Sequence, residues 1–480
     1  MTHTIRQHHL HIQINGTETD GLALQNRLPA WCRNWLFPAI ESALDRCVPA
    51  AEHWSLERLE IDVGDIALDR LEQDLPGLVE QALEKSLRML KPARDYATAT
   101  SGGITQKSTP QRIDEAWVYF LKTGTLPWGL HLPEGCGLER TLLKIWRETP
   151  TSHHSGAVLA ALALPSARQR LVRQFSEAFL TTMLKRIAPD LEKIMAGIFQ
   201  QLESFELPAE AIKPLTAQLW EAAFAQIATA GHYTDAQIVR TAWRTLPVAT
   251  AQRSRLTTLL ERHWPGVTSD AGKQPSDQHF PAPEITADST IGSTIGSTES
   301  IISEDARSNQ HPEAAEGIYI ENAGLVLLHP FLPRFFQALG IASEEDVIIQ
   351  PERALCLLHF LATGQRIAPE HELVLPKILC NIPLTAPVES GIGLTDPETE
   401  EATALLEAVI RHWDVLKNTG IDGLRGTFLL RAGKITLRDD GDWRLQVESK
   451  AYDILVDQLP WGISMIKLPW MQRMLWVEWS

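Results

Sequence analysis

The run GTFLLRAGKITLRDDGDWRLQV, residues 426–447, decides the fold class. Three short pieces, 428–431, 435–438 and 443–447, read as strands, and in the last two apolar and polar residues alternate as they do in strands that bury one face. Asp440-Gly441 lies between the last two pieces. An Asp-Gly pair there is a strong hairpin signal, because glycine accepts positive φ without steric cost. Working outward, residues 463–467 and 474–479 read as two further short strands. On the N-terminal side, 318–340, 353–363 and 397–417 carry apolar residues at helical spacing. Residues 317–480 are therefore expected to form an α+β unit, helices followed by antiparallel β-hairpins.

Further upstream the chain reads as helical. Residues 113–266 carry stripes such as Leu171, Val172, Phe175, Phe179, Leu180 and Met183, but prolines interrupt them and no heptad is sustained. Stacked short helices are expected, not one rod. Residues 1–92 read as a βαβα unit: alternation over 5–14, helical spacing over 21–47, a second alternating piece at Leu56, Leu59, Ile61 and Val63, and an amphipathic helix over 68–90. Residues 93–112 read as a linker rich in Ala, Thr, Ser and Gly. Residues 267–316, with STIGSTIGS at 289–297, hold too few apolar side chains to offset chain entropy and read as a disordered linker. The whole is expected to be α+β and mostly helical. One internal echo stands out. WVYFLKTG at 117–124 and LCLLHFLATG at 355–364 share Phe-Leu-x-Thr-Gly, a helix end whose glycine suits the left-handed position just past the last turn.

A net charge of −16 repels phosphate, so neither nucleic acid nor an anionic membrane is an expected partner. No apolar run is long enough to span a bilayer, and the first residues lack a signal-peptide core, so cytoplasmic synthesis is expected. The five cysteines are scattered with no C-x-x-C pair, which points to reduced thiols. No GxxxxGK[ST], HExxH, GxSxG or GxGxxG pattern is present, so no enzyme, metal or cofactor is expected. His9 and His11 share a strand face and could take zinc with a third ligand, but an exposed polar face explains them more simply. His359 lies in an apolar helix and reads as a satisfied core histidine. Asp439, Asp440 and Asp442 lack calcium-loop spacing and read as a turn. Tryptophan outnumbers tyrosine fifteen to five, and several sit beside proline near the end. Pro460, Trp461, Pro469, Trp470, Trp476 and Trp479 are the candidate partner-binding surface, since Trp is enriched at interface hot spots. Core packing is the competing use of each.

Several strings resemble the contractile injection system tape measure family. They are INGTETDGLALQNRL (14–28), LERLEIDVGDIAL (56–68), IYIENAGLVLLHPFLPRFFQALG (318–340), RALCLLHFLATG (353–364), HELVLPKILCNIPL (371–384), VIRHWDVLKNTGIDGLRGTFLLRAGKI (409–435) and DILVDQLPWGISMIKLPWM (453–471). The resemblance covers 1–92 and 317–480 and is thin across 93–316. It implies a structural and assembly protein of a phage-tail-like particle, a tape measure in the inner-tube lumen that sets tube and sheath length. Inner tube, baseplate or spike and tail terminator proteins are the implied partners, and a homo-oligomer is compatible. It brings no catalytic or cofactor residues. A helix over 93–316 would span ~340 Å, yet no long uninterrupted helix is legible there. A non-structural assembly chaperone is therefore the alternative reading, and a cryptic enzyme a more distant one.

Overall fold

The computed structural model describes residues 5, 8, 10–48, 54–55, 59–90, 105–106, 109–127, 130, 132, 137–148, 155–205, 209–228, 234–247, 250–268, 317–416 and 418–479. The chain divides into two compact units, Met1–Glu115 and Ala116–Ser480. Residues 113–266 and 317–480, read above as separate, share the second unit apart from the first three of them. The expected linker at 267–316 lies outside the described residues beyond Thr268.

In the first unit α1 (Glu18–Trp31) runs through a π-helical turn (Cys32–Leu36) into α2 (Phe37–Cys47). The wide turn ends where Pro38 enters the helix. A proline ring there would press on the carbonyl four residues back, and it has no N–H to give. Next come β1 (Trp54–Ser55), α3 (Leu71–Leu90) and β2 (Thr105–Gln106). Leu36, Ile40 and Ala43 of the first helical stretch share a core with Leu71, Leu75, Val79, Leu83 and Leu87 of α3. Four-residue spacing keeps the α3 side chains on one stripe. Arg46 joins α2 to Glu80 and Glu84 on the rim of this core.

The expected strands at 5–14 and 56–63 do not form in the described residues; β1 pairs instead with β2, which lies in the stretch 93–112 expected to be a linker. Leu10, Ile12, Ile14, Leu59, Ile61 and Val63 nevertheless pack on the helical core. Alternation places every second side chain on one face of any extended segment, and these segments use a helical surface in place of a sheet neighbour.

The second unit takes most of α4 (Thr109–Thr123). It continues with α5 (Leu138–Glu148), α6 (Ser155–Leu162), α7 (Pro165–Gln174), α8 (Glu177–Ile187), α9 (Pro189–Glu203), α10 (Ala209–Ala228), α11 (Asp235–Thr245) and α12 (Thr250–His263). These are stacked short helices, as the pattern indicates. Pro165 and Pro189 open α7 and α9, where a missing N–H costs nothing. Ser176 and Thr234 cap α8 and α11 by accepting the N–H of Phe179 and Gln237. Trp117, Trp146, Phe175 and Phe179 form an aromatic cluster with ring centroids 4.4–6.5 Å apart.

After Gly317 come β3 (Ile318–Ile320), a 3-10 helix (Ala323–Leu328), α13 (Leu332–Ala338), α14 (Pro351–Thr363), α15 (Val374–Leu379), α16 (Asp396–His412), α17 (Ile421–Leu424) and a π-helical turn (Arg425–Leu429). Then follow β4 (Gly433–Leu437), β5 (Trp443–Val447), a 3-10 helix (Ala451–Gln458), β6 (Met465–Ile466) and β7 (Leu475–Trp479). The sheet order is β3-β4-β5-β7-β6. Neighbours are antiparallel except β5 and β7, which are parallel. The β4–β5 hairpin turns at Asp440-Gly441, with Gly441 at φ 86°.

Two expectations fail here. The run 318–340 is not one helix, since it opens as β3 and Pro330 and Pro333 punctuate the rest. All six residues of Ala323–Leu328 are buried, so the run has no polar face for an amphipathic helix to expose. Residues 428–431 are not a strand. Phe428 and Leu429 are consecutive and both buried, which the alternation of a one-faced strand forbids.

These two segments meet back to back. A Cβ on Gly324 would lie 1.7 Å from the Phe428 carbonyl oxygen. Gly324→Ala is expected to destabilise the protein by about 1–3 kcal/mol or more through overpacking, measured by urea unfolding. Gly393→Ala, with nothing within 4 Å of the new methyl, should leave the midpoint unchanged.

Candidate functional site

The densest polar constellation lies inside the second unit and joins its N-terminal helices to residues 370–390. The helix α4 ends in Phe-Leu-Lys-Thr-Gly, and Gly124 takes φ 84° while its N–H closes on the Phe120 carbonyl at 2.8 Å. The side chain of Arg170, fully buried in α7, reaches the carbonyl left over at this end: Nη1 donates to Leu121 O at 2.6 Å. Its other nitrogens donate to Thr385 O at 2.7 Å and Glu370 Oε1 at 3.0 Å. The same Glu370 oxygen accepts from Lys377 Nζ at 2.8 Å, and Lys377 also donates to the carbonyls of Leu384 and Ala386 at 3.0 and 2.7 Å. Arg170, Glu370 and Lys377 are each at most 2% exposed. Burial pushes the Lys377 ammonium down from its ordinary pKa, and Glu370 draws it partly back.

Around this centre α7 is stitched to the later segment. Gln174 donates to Val388 O at 2.8 Å, Arg173 to Pro387 O at 3.2 Å, and Ser390 to Arg173 O at 2.7 Å. Close by, His359 lies fully buried with Nε2 2.8 Å from Glu372 Oε2, the satisfied core histidine expected from sequence. Burial holds the His371 imidazole below its ordinary pKa, against a partial upward pull from Glu372. The arrangement orients backbone and fixes one segment on another.

A second buried pair anchors the C-terminal sheet. Arg431 donates to both oxygens of Asp453 at 2.8 Å and stacks over the rings of Tyr452 and Trp479. Burial pushes the Asp453 carboxyl up, but the bonds from Arg431 and the Lys450 N–H outweigh it and hold the group below its ordinary value.

The sequence-selected surface residues fall into two pairs of tryptophans and two exposed prolines. Trp461 and Trp470 clasp the α13 region, donating to Leu327 O and Leu379 O at 3.0 and 2.7 Å and packing on Phe331 and Phe336. Trp476 and Trp479 lie on the sheet under Arg438 and Arg431. All four are half-buried, and Pro460 and Pro469 are exposed. Asp442 explains the acidic turn: its carboxylate accepts the Met474 N–H and the Trp476 indole N–H at 2.9 and 3.1 Å, which lowers its pKa. His11 is exposed, and His9 lies outside the described residues. Among the described residues no group of three or more His, Cys, Asp or Glu is placed to hold a metal ion, and no helix is long and apolar enough to cross a membrane.

Sequence reading missed Arg170, Glu370 and Lys377. The one available hint was the echoed helix end at 117–124, whose leftover carbonyls need a donor.

The buried charges join distant segments of the chain and hold its own shape. The model of the contractile injection system tape measure protein family matches residues 2–479. The chain belongs to that family and is a structural protein of tail length determination. As a tape measure protein it lies in the tail lumen and associates with tube and sheath components. The chain matches no curated protein and no solved structure.

Glu370→Ala would leave two cations buried without their carboxylate. Urea unfolding should show a loss of about 3–5 kcal/mol, against about 0–1 kcal/mol for Glu407→Ala, whose partner Arg411 is exposed. A pH effect follows from His371. Its folded pKa is depressed below 6.5, so the unfolded chain takes up the proton first. Stability from this group is present above pH 6.5 and is lost as pH falls through the folded value. Thermal melts should show a midpoint that drops on acidification, with a shallower drop in His371→Gln.

Proposed function

We propose that this chain sets tail length as a folded body inside the growing inner tube and not as an extended helical rod. The observation that carries this is the Arg170–Glu370–Lys377 joint, which fixes α7 onto residues 370–390. The longest described helices have 20 residues, or about 30 Å each. Thr268 and Gly317, the described residues on either side of 269–316, both belong to the second unit. Changing the length of that stretch alters a connection within one body.

In this reading the inner tube, the baseplate or spike and the tail terminator are the partners, and assembly takes place in the cytoplasm. Pro460, Trp461, Pro469, Trp470, Trp476 and Trp479 are the residues we assign to these contacts. The exposed prolines and the exposed Met465 of edge strand β6 support this assignment. The role is structural, with no catalytic step.

The test is particle length by negative-stain electron microscopy, with residues 269–316 deleted or duplicated. Length is expected to stay at the wild-type value in both strains, and removal of the whole chain to abolish particles or scatter their lengths. A proportional shift would overturn the folded-body reading. Mass spectrometry of finished particles separates the remaining alternative, since an assembly chaperone would be absent from them.

A further inference from the structure

The echoed helix end is repeated in three dimensions, and only one of its two copies is complete. In α14, as in α4, the terminal glycine N–H closes on the phenylalanine carbonyl four residues back, at 2.8 Å for both Gly124 and Gly364. Both glycines take positive φ, 84° and 75°. In both, the threonine hydroxyl donates to the carbonyl four residues earlier, Thr123 to Tyr119 at 2.9 Å and Thr363 to His359 at 2.8 Å. In both it accepts the N–H two residues later, at 3.3 and 3.0 Å. An arginine from elsewhere then seals each end. Arg170 lies over Phe120 and bonds Leu121 O; Arg425 lies over Phe360 and bonds Leu361 O and Phe360 O, each at 3.1 Å. Each guanidinium comes within 3.0 Å of where a Cβ on its glycine would sit.

The copies differ in what neutralises the arginine. Glu370 bonds Arg170 and closes the first socket. Among the described residues the only carboxylate within 4 Å of Arg425 is Asp422, at 3.9 Å and with its own side chain fully exposed. Burial lowers the Arg425 pKa, which marks a charge removed from water with little compensation. Its side chain is 15% exposed, so it can still be reached. Three residues past Gly364, on the segment leaving the same helix end, is Ile367, 70% exposed. A cation at the negative end of a helix, with an open apolar side chain on the segment that leaves it, suits a segment that pairs a carboxylate with an apolar residue.

Such a segment exists at the opposite end of the same helix. Residues 341–349 form a tight finger: Ala342 bridges Ile348, Ser343 N donates to Val347 O at 2.8 Å, and Ile349 N to Ile341 O at 2.9 Å. Glu344 and Glu345 are exposed there and make no ion pair among the described residues. Val347 and Ile349 beside them are 54% and 57% exposed. The finger leads into α14 and the socket lies at its far end. Thirteen helical residues hold them about 20 Å apart within one chain.

We propose that the Arg425–Ile367 socket receives the 344–349 finger of a second copy of this chain, filling the place Glu370 fills in the first socket. Finger and socket are different surfaces at opposite ends of one helix, so the contact is head-to-tail. Such contacts propagate into open stacks unless a rotation closes them. This goes beyond the folded-body reading and stands without it, because it is measured on the purified chain.

Sedimentation velocity of the full chain across a wide concentration range provides the test. The wild type is expected to self-associate, and both R425E and the double variant E344K/E345K to weaken association by about tenfold or more. Mixing the two variants should restore it, since each supplies the charge the other's altered surface needs. Arg425 also braces the end of α14, so R425E is checked by circular dichroism. The finger variant changes only exposed side chains and keeps the test valid if R425E misfolds. A wild-type chain that stays monomeric overturns the proposal. So does a finger variant that associates like wild type, or mixed variants with no rescue where R425E is folded.

Discussion

The second unit depends on one carboxylate. Glu370 sits out of water between Arg170 and Lys377, and those two cations hold backbone carbonyls at residues 121, 384, 385 and 386. Taking three charges from water is expensive, and a buried ion pair repays the cost only when its remaining hydrogen bonds are met. Here the donors are spent on carbonyls that would otherwise lie buried without partners. An apolar triad of equal volume would fill the space but leave those carbonyls unpaired. That directional need fixes α7 against residues 370–390 in a single register, which nonspecific packing alone does not do.

This joint changes how the helical region is understood. Read alone, residues 113–266 are a series of short helices with no visible destination. With the joint in place, α7 is fixed both to the end of α4 and to residues 370–390. Amphipathic helices of 8–20 residues are marginal in isolation and take their stability from tertiary contact. A rod made from them would expose the aromatic cluster around Trp117. Burial of that cluster and extension of the region are therefore mutually exclusive states.

Much of this was legible in the sequence, and the failures share a cause. The β4–β5 hairpin, the helix ends at Gly124 and Gly364 and the core role of His359 depend on neighbours within a few residues, and local pattern reports them. The segments at 10–14 and 59–63 show that alternation reports a buried face without saying what covers it. Phe428 and Leu429, read as the start of a strand, show that two consecutive apolar side chains which both enter the core can belong to a π-helical turn. Arg170 and Glu370 are 200 residues apart. A lone arginine in an amphipathic helix and a glutamate after a proline look like solvated charges until the fold brings them together. The tryptophans at 461, 470 and 476 carry both readings: their indole N–H groups are bonded within the chain, while their half-buried rings keep an outer face.

The distribution of charge follows a rule that the net value conceals. The chain is strongly acidic overall, at −16, yet Arg170, Lys377 and Arg431 are among its most deeply buried side chains. Arg170 and Arg425 both sit at helix C-termini, where unpaired carbonyls and the helix dipole favour a cation. A guanidinium can serve several carbonyls at once and hold its charge at any physiological pH, so it is suited to closing such ends. The excess negative charge is left on the surface, where it keeps copies apart except at places of opposite charge. An acidic body with cations recessed at its helix ends thus resists indiscriminate association, while a carboxylate that reaches the recess meets a charge that water and ions screen poorly.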